Sequence, residues 1–307
     1  MYPTLLSWGE LRFHSYTVMM TLAFLVGTLG PNWLNNRRGR PYPISPIGGI
    51  WVFFAGIGGS KLYWMIQYGS WNDLRWLQFF FTGGLVFFGG LLGGIIGLVA
   101  YLKYIKSPVL PVFDMAAPFI AIAHGIGRIG CFLNGCCWGR PMAWRWPWGI
   151  TYPQSTRGPY REQILEGLIS REDLRSLPVH PTQLYETFGL TLIFIALLFI
   201  YRKHRRHGVV VLSYITLYGG WRVVTEAFRG ESTRHLLGMT VSQMVGLGMF
   251  AGGLLLILAL KLTVWRGEPP ASLDEPDAAS QDDEPPAAQA ADADPPAEEL
   301  NAVESSS

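Results

Sequence analysis

From residue 267 to residue 307 the chain has no lysine, no arginine and no aromatic side chain, but it carries 12 acids. A segment of Pro, Ala, Asp and Glu cannot bury enough apolar area to offset the entropy of ordering. A disordered acidic tail, dispensable for chemistry, is therefore expected beyond a folded part spanning 1–266. Setting the tail aside changes the charge balance. The chain's 24 Lys and Arg then face 10 acids, leaving residues 1–266 about 14 positive charges in excess. Charged residues are scarce overall, at 15%, against roughly a quarter in soluble domains. Only three cysteines occur, all between 131 and 137, which excludes a disulfide scaffold. No internal repeat is visible. No basic stretch followed by a short apolar run and a small-residue cleavage site precedes the first long apolar block, so that block is expected to be retained.

What the chain does have is apolar residues, half of the total, and they fall in long blocks such as 16–34 and 84–101. A helix in water needs one apolar stripe, whereas a helix in lipid can be apolar all round. Blocks near 20 residues match the hydrocarbon thickness. The expected fold is an all-α polytopic membrane protein of about seven helices, with spans near 16–35, 46–68, 84–105, 111–131, 183–202, 209–228 and 240–262. Glycines crowd these spans, as at Gly56, Gly58 and Gly59 and at Gly89, Gly90, Gly93, Gly94 and Gly97. Inside a membrane they let helix backbones approach closely.

Basic residues orient the chain. Arg37, Arg38 and Arg40 follow span one, Lys103 and Lys106 end span three, Arg202, Lys203, Arg205 and Arg206 follow span five, and Arg266 follows span seven. The other short loops hold only Arg75, and Arg229 with Arg234. Seven crossings place all four clusters on the cytoplasmic side, with the N-terminus outside and the tail inside. The long connection, 132–182, then lies outside. It carries Trp138, Trp144, Trp146 and Trp148 with Arg140, Arg145, Arg157 and Arg161, residues suited to lipid head groups. A connection this long is usually functional, so the site is expected to open on that face.

Three stretches carry candidate chemistry. The first is His124-Gly-Ile-Gly-Arg-Ile-Gly-Cys-Phe-Leu-Asn-Gly-Cys-Cys-Trp-Gly-Arg140. Arg128 near a span end is costly in lipid without a partner. It is either a snorkelling interfacial residue or, given the glycines around it, a ligand-binding one. In the second, Tyr218, Arg222 and Glu226 are spaced i, i+4, i+8 on one helix face, as a structural ion pair or a functional group. The third, His180-Pro-Thr-Gln-Leu-Tyr-Glu186, enters span five, where Thr182 is expected as an N-cap. The cysteines Cys131, Cys136 and Cys137 lack the paired spacing of a zinc ribbon and have no obvious fourth ligand. No metal is expected, and a disulfide or buried inert thiols are both compatible with the sequence.

Taken together, these stretches resemble the prolipoprotein diacylglyceryl transferase family over residues 10–260. The resemblance rests on Gly127-Arg128-Ile129-Gly130-Cys131-Phe132 closing at Gly139-Arg140, on 180–186, on Tyr218, Arg222 and Glu226, on Gly83-Gly84-Leu-Val-Phe-Phe88-Gly89-Gly90, and on Tyr16. It implies a bacterial inner-membrane enzyme, expected to be a monomer. Such an enzyme moves a diacylglyceryl group from phosphatidylglycerol to the lipobox cysteine of a secreted prolipoprotein and releases glycerol-1-phosphate. No cofactor and no nucleic-acid partner are implied. By the same resemblance Arg128, Arg222, Tyr16 and Gly139 bind the phospholipid, and Arg222, Glu226, Tyr218 and His180 serve catalysis. The chain departs from the family in having Phe88 where a histidine base is often found, Cys131 where an asparagine is common and Cys136 where a glutamate is common. The base would then be His124, His180 or Glu226, or the thiolate would form in the arginine field alone. A transporter is the alternative, but it would favour repeats and midplane motifs. A CDP-alcohol phosphotransferase would need an Asp-Gly-x-x-Ala-Arg motif that is absent, and a structural scaffold would not need Arg128 and Arg222 among glycines.

Overall fold

A computed structural model describes residues 4–8, 11–39, 41–68, 84–142, 147–154, 158–203, 206–229 and 238–264. Arg40, Arg75, Gly83, Trp144, Arg145, Trp146, Arg157, Arg205, Arg234, Arg266 and the acidic segment 267–307 lie outside them. Eight helices occur among the described residues: α1 Ser15–Arg37, α2 Ile47–Tyr68, α3 Phe87–Tyr104, α4 Val109–Asn134, α5 Pro159–Leu165, α6 Thr182–Lys203, α7 Val209–Glu226 and α8 Val241–Val264. The expectation of an all-α chain needs one correction. Strands β1 Thr4–Trp8 and β2 Leu11–His14 pair antiparallel just ahead of α1.

Five helices, α1, α3, α4, α6 and α8, are long and apolar enough to cross a membrane, and the chain is a multi-pass membrane protein. The expected second and sixth spans are present as α2, 22 residues, and α7, 18 residues. They are less uniformly apolar because α2 holds Lys61 among many glycines and α7 holds Arg222 and Glu226. Large apolar side chains such as Phe54, Leu92 and Leu255 are exposed along the helices, as a lipid-facing surface requires.

The most buried of the long helices is α4, which packs against α1, α6 and α7. Ala117 and Ala121 of α4 let Ile193, Leu197 and Val210 of α6 and α7 close into one core. The Asp114 carboxylate of α4 accepts hydrogen bonds from the backbone N–H groups of Gly208 (2.5 Å) and Val211 (2.9 Å). It thereby satisfies donors at the start of α7 that lipid could not. Helices α2 and α3 pack on each other through glycine backbones: a Cβ on Gly59 would lie 2.8 Å from Gly93 Cα, so no larger side chain fits there.

The end of α1, the segment after it, and the ends of α3 and α6 come together at one end of this bundle. Arg38, after α1, stacks over Tyr201 at the end of α6, 4.6 Å from the ring centre. Ser45 Oγ lies 3.2 Å from Tyr101 Oη near the end of α3. At the opposite end, the connection between α4 and α6 folds rather than loops. It contains α5, isolated bridges of Pro141 and Ile150 to Val179, and a small core of Tyr152, Tyr160, Gln163 and Val179. Burial pushes the Tyr152 hydroxyl up to about 12, so it stays neutral, and its oxygen accepts a hydrogen bond from Gln183 Nε2 at 3.2 Å.

Candidate active site

A cluster of charged side chains lies at that second end, near the C-termini of α4 and α7 and the N-terminus of α6. Arg128 Nε lies 2.5 Å from Glu186 Oε2, and Arg222 Nη1 pairs with Glu186 Oε1. One carboxylate from α6 thus bridges two guanidinium groups from α4 and α7. Arg222 Nη2 reaches Glu226 Oε2 at 2.8 Å, one helical turn on, and Ser242 Oγ of α8 at 3.3 Å. Glu226 also accepts from Thr240 Oγ1 at 3.3 Å and faces Arg229 at 3.9 Å. Side-chain exposure is 2% for Glu186, 3% for Glu226, 13% for Arg222 and 17% for Arg128. Arg128 is thus mostly buried and paired with Glu186. Among the described residues, three guanidinium groups face two carboxylates, one positive charge in excess.

Tyr218 joins the cluster within electrostatic range of Glu186, Arg128 and Arg222. The His124 ring packs edge-on against Tyr218, 5.0 Å between centroids. On the i, i+4, i+8 face of α7, Tyr218 thus meets α4 and Arg222 meets α6, while Glu226 meets Thr240 ahead of α8. Glu186 belongs to the cluster although the sequence reading did not select it. Its signal was present, since an acid four residues inside a helix entering a span needs a partner. Ser242 and Thr240 carried no such signal, because hydroxyls in apolar helices usually bond their own backbone.

A second arrangement fixes the rim. Gly139 N–H donates to the His180 carbonyl at 2.9 Å and Arg140 N–H donates to the Phe228 carbonyl at 2.9 Å. A Cβ on Gly139 would sit 2.6 Å from His180 Cβ and 2.8 Å from His180 O. Gly139 is thus where three chain segments touch. The His180 ring packs between Tyr185, with Nδ1 3.2 Å from the hydroxyl, and Phe228 at 5.2 Å. Burial, then the Arg140 charge, holds its pKa below the usual histidine value, so it is neutral at neutral pH. Thr182 does not cap α6 as expected. It is the first residue of that helix, and its hydroxyl donates to the Cys137 carbonyl at 2.9 Å, while Gln183 Nε2 donates to the Cys136 carbonyl at 2.7 Å.

Tyr16, in the first turn of α1, is close to Gly130 and within electrostatic range of Arg128 and the three cysteines. Phe88 is placed differently. It lies in the first turn of α3, its ring against Phe87 at 5.8 Å, and is 59% exposed. The cysteine thiols are free and lie together: all three Sγ atoms are within 4.8 Å of one another. That proximity was not legible from their spacing. It depends on the turn after α4, where Gly135 and Cys137 both take left-handed backbone angles, φ 77° and 62°.

Buried arginines from two helices, at the end of a multi-pass bundle where the long connection folds, define a membrane-embedded protein equipped to hold an anionic group. The particular family follows from comparison with known proteins. The family model for prolipoprotein diacylglyceryl transferase matches residues 3–259, and the chain belongs to that family, the transferases of lipoprotein biosynthesis. Relatives named phosphatidylglycerol–prolipoprotein diacylglyceryl transferase are similar over nearly their whole lengths. That of Proteus mirabilis is 31% identical over 286 residues, 86% of this chain and 91% of the relative. That of Dehalococcoides mccartyi is 31% identical over 265 residues, 86% and 93%. That of Clostridium tetani is 29% identical over 254 residues, 80% and 93%.

Proposed function

We propose that this enzyme transfers the diacylglyceryl group of phosphatidylglycerol to the lipobox cysteine of a prolipoprotein, with the phosphate held by Arg128 and Arg222. The observation that carries this is the bridged pair. Glu186 fixes two guanidinium groups from different helices side by side, and the described members of the cluster have one positive charge to spare. A phosphodiester carries one negative charge. As the glyceryl C–O bond breaks, the departing glycerol-1-phosphate gains a second, and the arginines stabilise that gain more than they stabilise the bound substrate. Glu226 orients Arg222, and Tyr218 steadies Arg128. Tyr16 and the segment closed by Gly139 line the approach from the outer leaflet.

The attacking group is the thiolate. His124 packs on Tyr218 within the helices, away from the rim, and Glu226 is committed to Arg222, Arg229 and Thr240. His180, neutral and at the rim, is the base in this reading. Seven spans, with α2 and α7 crossing, an outside N-terminus and the acidic tail in the cytoplasm, put this site at the outer face, where a secreted precursor arrives. The enzyme works as a monomer.

The test is reconstitution of the purified protein with phosphatidylglycerol and a peptide carrying a lipobox cysteine. A thioether-linked diacylglyceryl peptide is expected, with none from the serine version of the peptide. Release of phosphatidylglycerol hydrolysis products without thioether would reject the reading.

A further inference from the structure

The geometry points to a zinc site formed by Cys131, Cys136 and Cys137, whose fourth coordination position takes the thiol of the incoming substrate cysteine. This deepens the transferase reading and rests on it.

Three thiols held by one turn are the format of a catalytic zinc site: three protein ligands and one open position, with about 2.3 Å from zinc to each sulfur. Sulfurs at that distance from a tetrahedral ion stand about 3.8 Å apart, and here all three lie within 4.8 Å before any ion draws them in. Small rotations of the side chains close that gap. Soft thiolates select zinc over the hard divalent cations. The backbone supports the arrangement at a cost. Cys137 holds a left-handed conformation that non-glycine residues rarely adopt and that persists where surrounding structure enforces it. The enforcing contacts are the Thr182 hydroxyl on the Cys137 carbonyl and the Gln183 amide on the Cys136 carbonyl. Asn134 Nδ2, 3.8 Å from Cys136 Sγ, is placed to donate to that sulfur, as the outer partners of metal ligands do.

Position gives the site its use. Cys131 is three residues after Arg128 on α4, so both lie on one face, about one turn apart. Arg128 and Arg229 are within electrostatic range of Cys137 and offset the negative charge that three thiolates and a fourth would leave on a divalent ion. Tyr16 is within range of Arg128 and of all three sulfurs. A lipid whose phosphate rests on Arg128 therefore presents its glyceryl carbon close to a sulfur bound at the open position.

The chemistry follows. A free thiol is mostly protonated at neutral pH, whereas a thiol coordinated to zinc is deprotonated outright. The substrate thiol gives its proton to His180 and binds as thiolate. Its sulfur electron pair then forms the C–S bond to the terminal glyceryl carbon as the C–O bond to phosphate breaks, and that bonding pair leaves with the glycerol-1-phosphate oxygen. The product thioether carries no charge, is a poor zinc ligand and departs. No oxidant or reductant is needed.

The experiment uses the full-length enzyme purified in detergent under reducing conditions. Elemental analysis should find about one zinc per chain. After exchange with cobalt(II), a thiolate-to-cobalt charge-transfer absorption should appear, and it should change on addition of the lipobox cysteine peptide but not of its serine version. Cys131→Ser, Cys136→Ser and Cys137→Ser should each lose the band. Arg128→Lys should keep the metal and the band while losing turnover. Wild-type enzyme, folded and making thioether, that retains no zinc and gives no cobalt band would overturn the site and leave the transferase reading standing. So would a disulfide between two of the three cysteines in fully active enzyme. A cobalt band that responds to the peptide without any thioether product from phosphatidylglycerol would keep the site and overturn the transferase reading.

Discussion

The α2–α3 hairpin and the α4–α6–α7 group are joined by opposite means. The hairpin is closed by backbone contact between glycines, with large apolar side chains turned outward. The α4–α6–α7 group is closed by alanines at one level and by a charge cluster at another. Dispersion and close approach suffice for the first, since lipid offers helices no hydrophobic reason to associate. The second needs every charge paired, because an unpaired ion in that setting is expensive. One region serves as a wall, and the other carries the site. The difference predicts where substitutions hurt.

The largest effect is expected at Glu186, the only described carboxylate that touches both Arg128 and Arg222. Removing one member of a buried ion pair costs about 3–5 kcal/mol, and here it would strand two cations that repel each other. Glu186→Ala should lower the melting temperature in detergent and abolish transfer. Glu186→Gln, which keeps shape and hydrogen-bonding capacity, should recover part of the stability but little of the activity. Near-normal turnover in both variants would mean that the bridge does not organise the arginines.

Next come the arginines themselves. Lysine keeps the charge but loses the planar fork that grips a phosphate by two bonds. Arg128→Lys is expected to lose on the order of a hundredfold in kcat/KM, about 3 kcal/mol of transition-state stabilisation. Arg222→Lys should follow, because it keeps only part of its contacts with Glu186, Glu226 and Ser242. Stability should fall far less than in Glu186→Ala. Kinetics with phosphatidylglycerol vesicles at matched enzyme amounts would measure this, and near-normal rates for both variants would sink the phosphate clamp.

These contrasts also explain what could be read from the sequence. Long apolar blocks and glycine runs reported the helices, because lipid demands them along the whole length of a span. The α7 face of Tyr218, Arg222 and Glu226 was legible from helical spacing alone. Glu186 was visible as a residue but not as a bridge, because nothing in a sequence says which of several buried charges meet. The meeting of the three sulfurs was hidden for a different reason: it depends on two left-handed residues, and only one of them is a glycine. The β1–β2 hairpin was missed because its strands are four or five residues long and sit next to a much stronger helical signal.

A smaller, pH-dependent effect belongs to His180. Its folded-state pKa is depressed by burial and by Arg140, so its neutral form persists to lower pH than that of a free histidine. As a base it should give kcat/KM a rising limb at a pH below the ordinary histidine value, flat above it. The stability linked to its burial runs the same way: fully present above the unfolded value and lost as pH falls through the folded one. His180→Gln should remove the limb and lower the plateau. A limb that persists unchanged in the variant would assign the titration to another group.

The smallest effect is expected at Phe88, in the hairpin, although family resemblance gives that position to a histidine base. The ring is 59% exposed and rests on Phe87, and α3 packs chiefly on α2. A histidine placed there would face the surroundings of the bundle and not the arginines. Substitutions at such positions usually shift free energies by less than about 0.5 kcal/mol, which is about a twofold change in rate. Phe88→His should therefore leave turnover and the pH profile almost unchanged, with at most a slight loss of stability from a polar ring facing lipid. Turnover and pH profile measured beside wild type decide the matter. A several-fold gain, or a new titration in the variant, would show that the start of α3 turns toward the cluster when lipid is bound. The hairpin would then be a moving part of the site, and the contrast between wall and site would have to be redrawn.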